Sequence, residues 1–118
     1  MANFSKISVS NEARTELHDQ LHLTGAEISV NNMPAGASVP FVHYHKKNEE
    51  IYFITAGTGK AVIDGEDVEL AAGDWLRIAP AARRQFFAGA HEGLSYVCIQ
   101  VRENSLEEYT AADAGIEQ

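Results

Sequence analysis

From Gly25 onward the apolar residues of this chain recur at a period of two, in runs that turn-forming residues interrupt too often for helices. Ala26, Ile28 and Val30 alternate with Glu27, Ser29 and Asn31. Further runs are FVHYH, EIYFITA, KAVID, DVEL, WLRIA, RQFFA and LSYVCIQV, set apart by PAG, KKN, GTG, DGE, AAGD, PAA and AGAHEG. Successive side chains of a strand point to opposite faces, so a period of two is a strand's signature. Strands this short, with turns this frequent, predict an all-β sandwich or barrel. The Asp64-Gly65 pair between KAVI and EDVEL predicts a type I′ hairpin, whose turn residues need positive φ.

Two segments outside this pattern predict helix. In NEARTELHDQLHL, Ala13, Leu17 and Leu21 repeat every four residues, and Ser10 or Asn11 can serve as N-cap, which predicts a short amphipathic helix. In the tail SLEEYTAADAGIEQ, Ser105 and Glu108 have capping-box spacing, which predicts one further turn.

A chain of 118 residues with 45% hydrophobic content supports one domain over residues 1–118, its barrel core running from about 24 to 102. Nine Lys and Arg against 17 Asp and Glu give a net charge of -8, which repels phosphate backbones and anionic bilayers. Neither nucleic acid nor membrane is an expected partner. Cys98 is a single cysteine and forms no internal disulfide, and MANFSKISVS has no apolar signal-like core. The expectation is a cytoplasmic protein.

The chemistry concentrates in HYHKKNEE, residues 43–50. His43 and His45 stand at i and i+2, so on a strand both imidazoles aim at one face. Glu50 has the wrong parity for the same continuous strand. A turn at Lys46-Lys47-Asn48 resolves this by bringing Glu50 back opposite the histidines, on a face with Tyr52 and Ile54 and with Glu49 pointing away. Two neutral imidazoles and a carboxylate make a facial triad with open positions, suited to a divalent transition metal: Fe, Zn, Mn, Ni or Co. The competing reading is two polar side chains and a carboxylate on a solvated face.

Two stretches carry a family resemblance. HYHKKNEEIYFITAG resembles the first motif of the cupin superfamily, with His43, His45, Glu50 and Gly57 in the expected order and spacing. GDWLRIAPAARRQFF is similar to the second, with Gly73 and Pro80 matching. The resemblance implies a double-sheet jelly-roll barrel and a metal held by His43, His45 and Glu50. Two positions depart from it. Gly36 stands seven residues before His43 instead of six, implying a bulge or longer turn in PAGASVPF. The histidine that usually supplies a fourth ligand falls on Arg84, whose guanidinium has no free lone pair, so three ligands remain.

Arg84 beside a metal site implies an anion between the two cations, or else a salt bridge from Arg84 to Glu50 in a metal-free barrel. Arg84, Tyr52 and Gln100 are the expected substrate contacts, Gln100 sharing a strand face with Tyr96 and Cys98. Trp75 and Phe86 are read as core or pocket wall, and His18, His22 and His91 as solvated. The function expected is metal-dependent chemistry on a small oxygen-bearing or anionic substrate, of oxygenase or isomerase type. The alternative is a metal-free module that binds a small anion or sugar derivative through Arg84. A homodimer is expected, with NFSKISV covering a sheet edge.

Overall fold

The computed structural model describes residues 2–117. Seven antiparallel strands form the predicted barrel: β1 (Arg14–Glu16), β2 (Glu27–Met33), β3 (Asn48–Ile63), β4 (Glu66–Ala71), β5 (Trp75–Ile78), β6 (Arg84–Ala88) and β7 (Leu94–Arg102). One sheet runs β1-β2-β7-β3-β5, and the other sets β4 and β6 on either side of the second half of β3. The long strand β3 therefore belongs to both sheets.

Its length overturns one sequence expectation, because GTG is a bend inside β3 and does not separate two strands. The bend comes from a register shift between Ile54 and Ala56 on the β7 side, followed by Gly57 at φ 81°. A Cβ at Gly57 would stand 1.7 Å from the Gly93 carbonyl oxygen, so only glycine lets β3 and β7 approach there. The Asp64-Gly65 hairpin is as predicted, with φ 49° and 83°. The barrel interior is filled by Tyr52, Ile54, Ala61, Leu70, Phe86 and Leu94, with other buried side chains around them.

The N-terminal helix is much shorter than expected. Only α1 (His18–Leu21) is helical, ending at His22 with φ 58°. Arg14–Glu16 pairs instead with β2, while Leu17 N–H donates to the Ile28 carbonyl and Asn32 N–H to that of Ala13. An open sheet edge offered these residues hydrogen bonds that outweighed a four-residue repeat of weak apolar contacts. In the tail, the capping box at Ser105 and Glu108 does not form; Thr110 caps a 3-10 turn at Ala111–Asp113. FVHYH is also not a strand. It contributes one bridge, between His43 and Arg84. No helix among the described residues is long and apolar enough to cross a membrane.

Candidate metal centre and its cavity

His43 is held by β6 and His45 by the turn that precedes β6, not by the strand that follows them. His43 N–H donates to the Arg84 carbonyl at 3.1 Å and Arg84 N–H returns the bond at 3.0 Å; Ala81 N–H donates to the His45 carbonyl. Glu50 enters from β3, where its neighbours are Gln100 on β7 and Ile78 on β5. Glu50 therefore does not face the histidines across a hairpin, as the sequence suggested. The triad forms because the 41–45 segment and β3 close on each other across the barrel. The alternation holds: His43 and His45 turn inward, and Tyr44 turns out beneath the Arg83 guanidinium, 3.8 Å from its ring centre. Glu49 also points out, to Arg77 at 3.2 Å.

One ligand atom from each of His43, His45 and Glu50 lies within 4.8 Å of the others. The imidazoles pack edge to face at 5.4 Å, and His45 Nε2 stands 3.1 Å from Glu50 Oε2. Burial holds the His43 pKa below its ordinary 6.5 against the pull of Glu50, with Arg84, His45 and Arg14 adding to the lowering. A neutral imidazole is the form that ligates a cation. His43 Nδ1 is buried with no hydrogen-bond partner. Two imidazoles, one of them with an unsatisfied nitrogen, and a carboxylate oxygen facing them fit a divalent transition metal.

The two oxygens of Glu50 are differently committed. Oε1 accepts from the Tyr52 hydroxyl at 2.6 Å and lies 3.3 Å from Arg84 Nη1. Oε2 faces His45 and receives only the weak Cys98 thiol donor at 3.4 Å. Desolvation, with the Cys98 and Glu50 charges behind it, pushes the Tyr52 hydroxyl far above its ordinary value, so Tyr52 stays a donor to Glu50. Desolvation and Glu50 likewise push the Cys98 thiol up to about 12.

The triad opens into a cavity of about 550 Å³, within the size range of small-molecule sites. Tyr52 and Gln100 line it, with Tyr96 and Cys98. Gln100 has its amide oxygen tied to Asn48 Nδ2 at 2.7 Å. Arg84 takes the inward-facing position on β6 that the second motif assigns, but it is fully buried behind Glu50 and contributes nothing to the cavity surface. A ligand in the cavity cannot touch it. Phe86 is pocket wall, whereas Trp75 is 65% exposed on the outer face and belongs to neither core nor pocket.

Sequence reasoning missed Arg14, Glu27, Ser29 and Asn31, all on the cavity surface. Ser29 and Asn31 are buried, at 3% and 4% exposure. The alternation in β2 was legible, but its polar face turns inward and Ile28 and Val30 turn out. A polar set of this kind on a lumen-facing strand was the available signal.

The sequence matches the Cupin_2 cupin-domain family over residues 29–100. No protein of curated function matches it. The chain is similar to the crystal structure of a cupin protein from Bacteroides fragilis, with 56% identity, TM-score 0.97 and complete coverage of both chains. It shares its fold with a predicted oxalate decarboxylase from Thermotoga maritima, at 21% identity and TM-score 0.67 over 85% of this chain and 94% of that one. A putative sugar phosphate isomerase from Acidithiobacillus ferrooxidans also shares it, at 22% identity and TM-score 0.67 over 75% of this chain and 58% of that one. With both motifs in register on a double-sheet barrel, the chain belongs to the cupin family.

Proposed function

We propose that the protein holds a divalent transition metal through His43, His45 and Glu50 and acts there on a small oxygen-bearing substrate admitted by the barrel cavity. The observation that carries this is the convergence of the three ligand atoms within 4.8 Å at the wall of that cavity. When bound, such a metal supplies Lewis-acid polarisation of a substrate oxygen. The chain's own residues do the rest. Tyr52 and Arg84 fix Glu50 through Oε1, leaving Oε2 toward the histidines. Phe86 and Tyr96 stack at 5.2 Å and give the substrate an apolar wall that limits water. The names of the Acidithiobacillus and Thermotoga structures, an isomerase of sugar phosphates and an oxalate decarboxylase, support an oxygen-rich small molecule as the class.

One observation favours a second reading, a metal-free barrel used for binding. The Arg84 guanidinium lies 3.3 Å from Glu50 and already neutralises the carboxylate that a metal would need. Elemental analysis of protein purified without an affinity tag, after metal supplementation, separates the two. Close to one equivalent of a transition metal, lost when His43 and His45 are both replaced by alanine, is the expected result. Less than about a tenth of an equivalent in the wild type overturns the metal site.

We further propose a homodimer. Val30, Val97, Phe53 and Trp75 form one row across the outer face of β2, β7, β3 and β5, with Ile28, Ile99 and Ile51 in the next. A second copy on this face would cover an apolar surface that solvent otherwise wets.

A further inference from the structure

Arg14 is the sole lysine or arginine among the described residues that line the cavity, and it enters from β1, three strands across the sheet from Glu50. On the inner face of the sheet Arg14 lies opposite Asn31, Asn31 opposite Tyr96, and Tyr96 opposite Ile54. Glu50 lies in another row, opposite Gln100, which opposes Glu27. Arg14 and Glu50 are thus three strands and four residues apart. At about 4.8 Å per strand and 3.4 Å per residue this is a diagonal of roughly 20 Å between backbones, and inward-reaching side chains leave a span on the order of 10 Å.

The two ends differ in chemistry. Arg14 Nη1 donates to Asn31 Oδ1 at 2.9 Å, which steadies the guanidinium, while its Nε makes a loose, solvent-exposed ion pair with Glu16 at 3.8 Å. Asn31 Nδ2 donates to Ser29 Oγ at 3.0 Å, leaving the serine O–H free to donate. At the other end Glu27 adds a second carboxylate to that of Glu50, held by the His18 N–H at 3.1 Å. Between them Tyr52, Phe86 and Tyr96 stack into one aromatic wall, with ring centres 4.5 and 5.2 Å apart.

We propose that the cavity binds a flat, apolar-bodied monocarboxylic acid lengthwise, its carboxylate on Arg14 and a hydroxyl or carbonyl oxygen at its far end directed to His43, His45 and Glu50. This rests on the triad being the reactive end, as argued above. The single guanidinium matches the single charge of a carboxylate better than the double charge of a phosphate ester. Glu27 repels an acid inserted the other way round. In a protein of net charge -8 a carboxylate needs such a local donor to enter at all. Arg14 is then the residue that selects acids.

The test compares 4-hydroxyphenylacetate with its neutral isostere 4-hydroxyphenylacetamide, titrated into metal-supplemented protein and followed by NMR, with metal content measured on every sample. The acid should bind about tenfold to a hundredfold more tightly than the amide. Arg14→Gln should remove that preference with metal content unchanged, and Arg14→Lys, which keeps the charge and loses the fork, should retain part of it. Equal binding of acid and amide, no binding of the acid at millimolar concentration, or a preference that survives Arg14→Gln overturns the proposal. So does loss of metal in Arg14→Gln, which would make Arg14 structural. Protein that takes up no metal after supplementation yet still discriminates through Arg14 would instead leave this inference standing and refute the metal centre.

Discussion

Arg84 Nη1 lies 3.3 Å from Oε1 of Glu50, and both side chains are removed from solvent. Arg84 Nη2 also donates to the Ala79 carbonyl at 3.1 Å, but Nε has no partner. Nη1 lacks a well-directed hydrogen bond, so the contact with Glu50 is an ion pair of imperfect angle. A fully buried guanidinium with so few partners depends on that carboxylate for its charge balance. The residue that departs from the family's ligand pattern is thereby built into the folded state.

Glu50→Ala should accordingly cost more stability than a surface carboxylate would. It strands the Arg84 charge and removes the acceptor of the Tyr52 hydroxyl, and breaking a buried pair from one side costs about 3–5 kcal/mol. Chemical denaturation of metal-free protein measures this. A loss below about 1 kcal/mol, the range of exposed pairs, would show that Arg84 finds another partner.

Arg84→His should tighten metal binding. The imidazole puts a lone pair where the guanidinium had none and frees Glu50 Oε1 from a competing cation. An increase in affinity of at least about tenfold is expected from competition with a metallochromic chelator. Unchanged affinity would mean that position 84, though inward-facing, is too far behind Glu50 to reach the ion.

Most of the strands and the Asp64-Gly65 turn were legible in the sequence because each depends on local rules, period two and positive φ. The triad's residues were legible from the i, i+2 spacing of the histidines and the family motif, although the hairpin expected to join them to Glu50 does not form. What was not legible depends on non-local pairing. Residues 13–17 carry a weak helical repeat, yet the open edge of β2 claimed their backbone. The alternation in β2 shows two faces without saying which one turns inward, so Ser29 and Asn31 were passed over and with them Arg14, their neighbour across the strand pair. Arg84 stands on the inner face, and only packing reveals that Glu50 screens it from the cavity.

Cys98 should be inert in folded, metal-free protein even though it lines the cavity. Its thiol is pushed up from 9.0 to about 12, chiefly by desolvation and then by Glu50, so raising pH through 9 does not generate thiolate. At pH 8 the thiolate fraction is roughly a thousandfold below that of a free cysteine, since a unit of pKa is a factor of ten. Iodoacetamide labelling followed by mass spectrometry should give slow modification of native protein and rapid modification in denaturant. Comparable rates in the two states would place Cys98 outside the environment described.

The dimer is tested at Trp75. Its ring stacks on Phe53 at 4.3 Å yet remains 65% exposed, at the end of a row of apolar side chains that continues through Val97 to Val30. An outer sheet face of this length can supply the roughly 800 Å² per partner that a stable two-fold interface needs. Trp75→Glu leaves the barrel interior untouched, because the side chain packs on nothing inside it. It puts a charge at the β5 end of the apolar surface that two copies would share, where burying it unpaired against the partner's apolar side chains is unfavourable. The wild type should have a dimeric mass by light scattering at roughly tens of micromolar, and the variant a monomeric one with an unchanged circular dichroism spectrum. A monomeric wild type sinks the dimer itself. A variant that stays dimeric moves the interface away from this face, leaving the N-terminal segment, where Phe4 is 81% exposed, as the surface that joins the copies.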